Sequence, residues 1–271
     1  MKSFIVLVCL AGLFSVNSSL AQAQPSYALP ENYRFDYEVS QSLTSKKSAA
    51  DSCTMHFFYS RTGDYAAAKI SGKENMKGNL FVVITRDGNC IIFDEHHKNI
   101  TILSIRKLMS DLMGMAKWIK MDSLMAGMRD KMNGKDVQSV KTGNHKSLGS
   151  YTTEEYSASD GRGHKTTIWI AKVDFDTQID YLLGSAGGNL LKMMGGQQGS
   201  AHPLFQALIQ PRSLITELES VDSAGSHKMS IQTVSINPAS STVSTSGYTV
   251  SNYSNMTFPE ILQAEMKKRN N

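Results

Sequence analysis

Cysteine is scarce: the sequence has 3 in 271 residues. Cys9 lies in an N-terminal apolar run, which leaves Cys53 and Cys90 for the rest of the chain. Two cysteines cannot staple a chain of this size, so an apolar core must supply most of its stability. Both fall in predicted strands, and two arrangements fit them: a disulfide across a sheet, or a pair of small buried thiols. Charge of one sign is also lacking. The 28 Lys and Arg face 24 Asp and Glu, a formal net charge of +4. The signs are mixed along the chain. No basic run interleaves with aromatics, which excludes a nucleic-acid partner. Beyond the N-terminus no apolar stretch approaches the roughly 20 residues that a membrane-spanning helix needs.

Catalytic signatures are missing as well. There is no His-Glu-x-x-His and no Gly-x-Ser-x-Gly. Gly184, Gly187, Gly188, Gly195 and Gly196 have neither a following Gly-Lys-Ser/Thr nor dinucleotide-binding spacing. They read as a flexible connection, or as a lid over an apolar cavity. Non-enzymatic function with no cofactor is the expectation.

What is present begins with MKSFIVLVCLAGLFSVNSSLAQAQP. Lys2 gives a positive start, Phe4 to Val16 an apolar run, and Ala21 and Ala23 the small residues that a signal peptidase reads. Residues 1–23 are therefore predicted to be a signal peptide, and the mature chain to be periplasmic or secreted.

From Tyr33 the pattern alternates. Tyr33, Phe35, Tyr37 and Val39 share one strand face, with Arg34, Asp36 and Glu38 on the other. SCTMHFFYS and RTGDYAAAKI read as further strands. Leu80 to Thr85 and Asn89 to Asp94 form a hairpin about Asp87-Gly88, where glycine accepts a positive φ. Ile100 to Leu103 completes a meander. Ser150 to Tyr156 and Lys165 to Ala171 form a second hairpin; SLITELESVD and HKMSIQTVSI follow. No Pro/Gly-rich linker divides residues 24–256, so the strand-rich portions 33–104 and 141–250 are expected to be one curved sheet.

A long helical excursion interrupts that sheet at about 105–132. Ile105, Leu108, Leu112, Met115 and Ile119 recur every three or four residues, and Leu124, Met125, Met128 and Met132 carry the apolar face onward. The surface it would cover is a face of the sheet. Its methionines fit core packing first, an apolar ligand groove second and copper(I) coordination least. Leu190, Met193 and Met194 add soft apolar surface to the glycine-rich segment 184–200. Thr257 and Glu260 have capping-box spacing at the start of a C-terminal helix or tail over 257–271.

Other candidates have bland readings. His96-His97 beside Asp94 suits a polar turn better than a metal site, since neighbouring strand side chains point to opposite faces. Glu154, Glu155, Asp160, Asp174 and Asp176 read as solvated charge. Trp169 is a core anchor or a ligand platform.

One stretch carries a resemblance. In KTGNHKSLGSYTTEEYSAS followed by TTIWIAK, the residues Thr142, Gly143, Lys146, Gly149, Tyr151, Glu155, Tyr156, Trp169 and Lys172 resemble a pattern of the DUF4412 family of exported Bacteroidetes proteins. That family is similar to the LolA/LppX-like lipoprotein carriers. Thr152 stands where many members have cysteine. The resemblance implies an α+β fold: a curved antiparallel sheet forming a half-barrel, with helices covering its concave face around an apolar concavity. The resulting expectation is a non-enzymatic binder of a lipid-like or other amphiphilic molecule. Leu112, Met115, Ile119, Met125, Met128, Met132, Trp169, Leu190, Met193 and Met194 would line the cavity. The alternatives are an envelope interaction module with a protein partner and, more weakly, a hydrolase or a copper(I)-handling protein.

Overall fold

The computed structural model describes residues 27–45, 53–62, 64–71, 80–105, 107–108, 111, 138–159, 163–177, 207, 210 and 212–270. The predicted signal peptide, most of the helical excursion and the segment 184–200 lie outside the described residues. So do Leu112, Met115, Ile119, Met125, Met128, Met132, Leu190, Met193 and Met194.

Twelve strands make one open sheet. The first six are β1 (Asn32–Ser45), β2 (Cys53–Tyr59), β3 (Tyr65–Ser71), β4 (Leu80–Thr85), β5 (Asn89–Asp94) and β6 (Asn99–Ser104). After the excursion come β7 (Gln138–Leu148), β8 (Tyr151–Ser159), β9 (Lys165–Lys172), β10 (Ser213–Val221), β11 (His227–Ser244) and β12 (Thr249–Asn252). Their spatial order is β12-β6-β5-β4-β3-β2-β1-β11-β10-β9-β8-β7. Neighbours pair antiparallel except β12, which runs parallel to β6. The two strand-rich portions of the sequence are thus halves of one layer, joined where β1 pairs with β11.

That seam is long and kinked. β11 runs continuously through Pro238, and its register against β1 shifts between Phe35 and Tyr37 and again between Ser40 and Gln41. Such irregularities bend a strand and increase its twist, which curves the sheet. The core divides at the first shift. Tyr33 and Phe35 pack with Ala67, Phe81, Val83, Ile91, Phe93, Ile100 and Ile102. Tyr37 and Val39 instead join Tyr59, Ala171, Val173, Phe175 and Leu214. At β2, Phe58 packs on the first cluster, while Phe57 and Tyr59 belong with the second. Adjacent strand residues face opposite ways, so here the sheet is greasy on both sides.

Local chemistry explains the turns. In the β4–β5 hairpin Gly88 has φ +80°, and its N–H donates to the Thr85 carbonyl at 2.9 Å. The one complete helix among the described residues is α1 (Phe258–Asn270). Its start is capped as the spacing predicts: the Thr257 N–H donates to Glu260 Oε2 at 2.7 Å. The helical cover expected on the concave face is represented among the described residues only by scattered positions such as Ile105, Leu108 and Ala207. What the structure describes is an open sheet with a C-terminal helix.

Candidate ligand groove

The β7–β10 end of the sheet carries a groove of about 510 Å³. That lies within the usual size range for small-molecule sites. Strand alternation builds it. In β8, Thr152, Glu154 and Tyr156 point to one face, and in β9 Ile170 and Lys172 point to the same face, with Glu154 paired to Ile170. Lys141 arrives from β7 opposite Tyr156. Ser150 and Tyr151, Ser213 of β10, and Ala207 and Gln210 complete the described lining.

The lining is mixed: Ile170, Ala207 and the rings of Tyr151 and Tyr156 stand among charged, hydroxyl and amide side chains. Behind the lining, Ile170 and Tyr156 pack with Ile168, Ile215, Leu218 and Ala207 in a buried cluster. Lys141 Nζ sits 2.9 Å from Glu154 Oε2. This bond holds the Glu154 carboxyl below its ordinary range and the Lys141 ammonium above its own. Tyr156 Oη also donates to Glu154, at 3.2 Å. Glu154 is therefore engaged on two sides, as a counter-ion rather than a free base. Lys172, at the other end of the groove, is exposed and forms no ion pair among the described residues.

Beside the groove, Asp174 closes the turn after β9. It accepts hydrogen bonds from Tyr151 Oη at 2.7 Å and Tyr37 Oη at 3.2 Å. The Tyr151 bond is the main cause that holds the Asp174 carboxyl below its ordinary range. Burial, then the bond to Asp174, pushes the Tyr151 phenol up to about 12. Phe175 stacks on Tyr37, with centroids 4.5 Å apart, and Asp176 meets Arg86 at 3.1 Å. The segment leaving β9 is thereby fixed across both halves of the sheet.

Alternation places Trp169 on the face opposite Ile168 and Ile170, away from this groove. The Lys146 ammonium stands 4.0 Å from its ring centroid, and Lys146 is also ion-paired to Glu217. That arrangement makes Trp169 a half-buried platform for a cation already supplied by the chain.

The cysteines are free thiols. β3 and β4 separate β2 from β5. Strands lie about 4.8 Å apart, so Cys53 and Cys90 are about 14 Å apart across the sheet before any offset along it. A disulfide needs Cα atoms within roughly 7 Å. The disulfide alternative is therefore corrected in favour of thiols, and burial pushes Cys90 up to about 12.

The other polar candidates are structural. Asp94 accepts the His96 and His97 N–H groups at 3.0 Å and meets His97 Nδ1 at 2.8 Å, which builds a turn. Among the described residues no three His, Cys, Asp or Glu side chains converge as metal ligands. One Ser–His–acid trio occurs, Ser40, His56 and Glu38. Ser40 Oγ at 3.2 Å and Glu38 Oε1 at 2.8 Å both approach the same ring nitrogen, Nδ1. A proton relay needs the serine and the acid on different nitrogens, so this trio is not one. The groove residues Lys172, Thr152, Ser213 and Gln210 were not predicted as ligand contacts. Lys172 belongs to the 142–172 pattern and Thr152 stands at its cysteine position, but no motif marks Ser213 or Gln210.

No family model and no curated protein matches the chain. Solved structures do. An uncharacterized conserved protein from Thermus thermophilus aligns at 7% identity over 93% of this chain and 99% of that one, with TM-score 0.39. The MucA/MucB complex of Pseudomonas aeruginosa aligns at 8% identity over 78% of this chain and 53% of that one, with TM-score 0.35. The LolA superfamily protein NE2245 from Nitrosomonas europaea aligns at 8% identity over 79% and 89%, with TM-score 0.27.

Proposed function

We propose that this chain is an exported, non-catalytic binding protein for an amphiphilic molecule. The observation that carries this reading is the groove at the β7–β10 end, where Ile170, Ala207 and two tyrosine rings lie among a few charged and hydroxyl groups, over a buried apolar cluster. Sites for such ligands have an apolar interior with a few placed polar groups. Lys141, Glu154 and Tyr156 are tied to one another, so these groups of the lining hold a ligand without activating a nucleophile. The N-terminal apolar run with its small residues supports export, and the 141–173 resemblance supports kinship with the DUF4412 family. Native mass spectrometry of gently extracted protein tests it. A retained or readily acquired amphiphile is expected. Protein that arrives empty, and stays empty when single-chain lipids are offered, contradicts it.

A second reading has one observation in its favour. On α1, Leu262 and Met266 are 47% and 58% exposed, one helical turn apart. An envelope interaction module would use such a stripe. Loss of a co-purifying protein on Leu262→Ser/Met266→Ser, with lipid content unchanged, would support that reading.

A further inference from the structure

The groove has a charge polarity. Its described lining contains two cations and one anion: Lys141, Lys172 and Glu154. Lys141 and Glu154 neutralise each other at 2.9 Å, which leaves Lys172 as the charge without an ion partner among the described residues. The nearest other carboxylate in sequence, Asp174, is already held by the Tyr151 and Tyr37 hydroxyls. Thr152 and Ser150 offer hydroxyls, and Ser213, paired with Lys172 across β9 and β10, borders the same end. Tyr156 and Lys141 lie toward the far end: Ile170 pairs with Glu154 and Ile168 with Tyr156, so the two ends are four strand positions apart. At about 3.3 Å per residue this is roughly 13 Å. An extended alkyl chain anchored at Lys172 would run over Ile170 toward Tyr156.

The geometry points to a single-chain amphiphile with a monoanionic carboxylate head, its head on Lys172 and its chain along Ile170. This rests on the amphiphile reading above and names its ligand class. One ammonium matches one negative charge. A cationic head would meet Lys172 unfavourably, and a neutral head would gain only the hydroxyls.

Calorimetric titration of the full mature chain with laurate, 1-dodecanol and dodecylamine tests this. In the wild type laurate should bind at least ten times more tightly than either of the others, and more weakly as salt rises. Lys172→Glu should cost laurate at least tenfold and favour dodecylamine. Lys172→Met should cost laurate about as much without favouring the amine. Lys165→Gln, on the opposite face of β9 and outside the groove, should change laurate affinity by less than threefold. Circular dichroism and melting curves confirm that the variants are folded; the exposed Lys172 side chain makes this straightforward. If dodecanol binds as tightly as laurate, or folded Lys172→Met binds laurate like the wild type, the head-group assignment is overturned while the amphiphile reading stands. If none of the three binds, the amphiphile reading falls with it.

Discussion

The two ends of the sheet are built differently. From β2 to β6, cross-strand neighbours are large and apolar: Phe81 faces Phe93, Phe93 faces Ile100, and Ile91 faces Ile102. Phe93 makes edge-on contacts with Tyr33, Phe81 and Tyr248. From β7 to β9, opposed residues are polar or mixed. Thr152, Glu154 and Lys172 share a face with Ile170, and ion pairs decorate both sides. One end commits its side chains to packing; the other lines a groove with polar ones. On the function proposed above, stability and recognition are assigned to different strands of one layer, with the β1–β11 seam between them.

Truncation in the two ends should separate these roles. Phe93→Ala removes a ring that is 1% exposed and should destabilise by about 3–5 kcal/mol. Ile168→Ala, at the base of the groove, should lose about 2–3 kcal/mol, the low end for such truncations, because its neighbours border open space and can relax. Denaturant titrations of the pair would test this; equal losses would erase the contrast. Next in size is Gly88→Val. A β-branched residue at φ +80° should cost about 1–2 kcal/mol and slow hairpin closure, with ligand uptake unchanged.

Asp174→Asn should have a smaller, pH-dependent effect. The folded protein holds this carboxyl below its ordinary range, so its contribution is complete above about pH 4. It is lost as pH falls through the depressed value. The variant should therefore be less stable than the wild type at pH 7 and should converge with it near pH 2. A constant gap would mean that the Tyr151 and Tyr37 bonds do not act through charge. The smallest effect expected is none: reductant should leave the melting temperature unchanged, because Cys53 and Cys90 are unbridged thiols.

The packing end was far more legible in the sequence than the recognition end. The alternation of Tyr33, Phe35, Tyr37 and Val39 announced a buried face, and all four are buried. Asp87-Gly88 and the Thr257/Glu260 spacing are local signals, and both turn and cap formed as read. β7 was missed because an edge strand buries neither face; Val140 is 59% exposed, and the register breaks between Lys141 and His145. β11 was read short because Pro238 normally argues against a strand interior; here a register shift accommodates it. The parallel pairing of β12 with β6 joins segments far apart in the chain and has no local signature. The groove is a product of the β7–β10 order, and Lys172 gains its meaning only from Glu154 neutralising Lys141. Trp169 was open to two readings, core anchor before ligand platform; it is half-buried on the face opposite the groove.

The central claim is that the β7–β10 end, and not the packed β2–β6 end, receives an amphiphile. A lauric-acid analogue with a diazirine in its chain, activated on the full protein and mapped by peptide mass spectrometry, tests it most directly. Adducts concentrated within residues 150–172 and suppressed by excess laurate are the predicted result. Adducts concentrated within 53–104, or labelling that excess laurate fails to suppress, would contradict it.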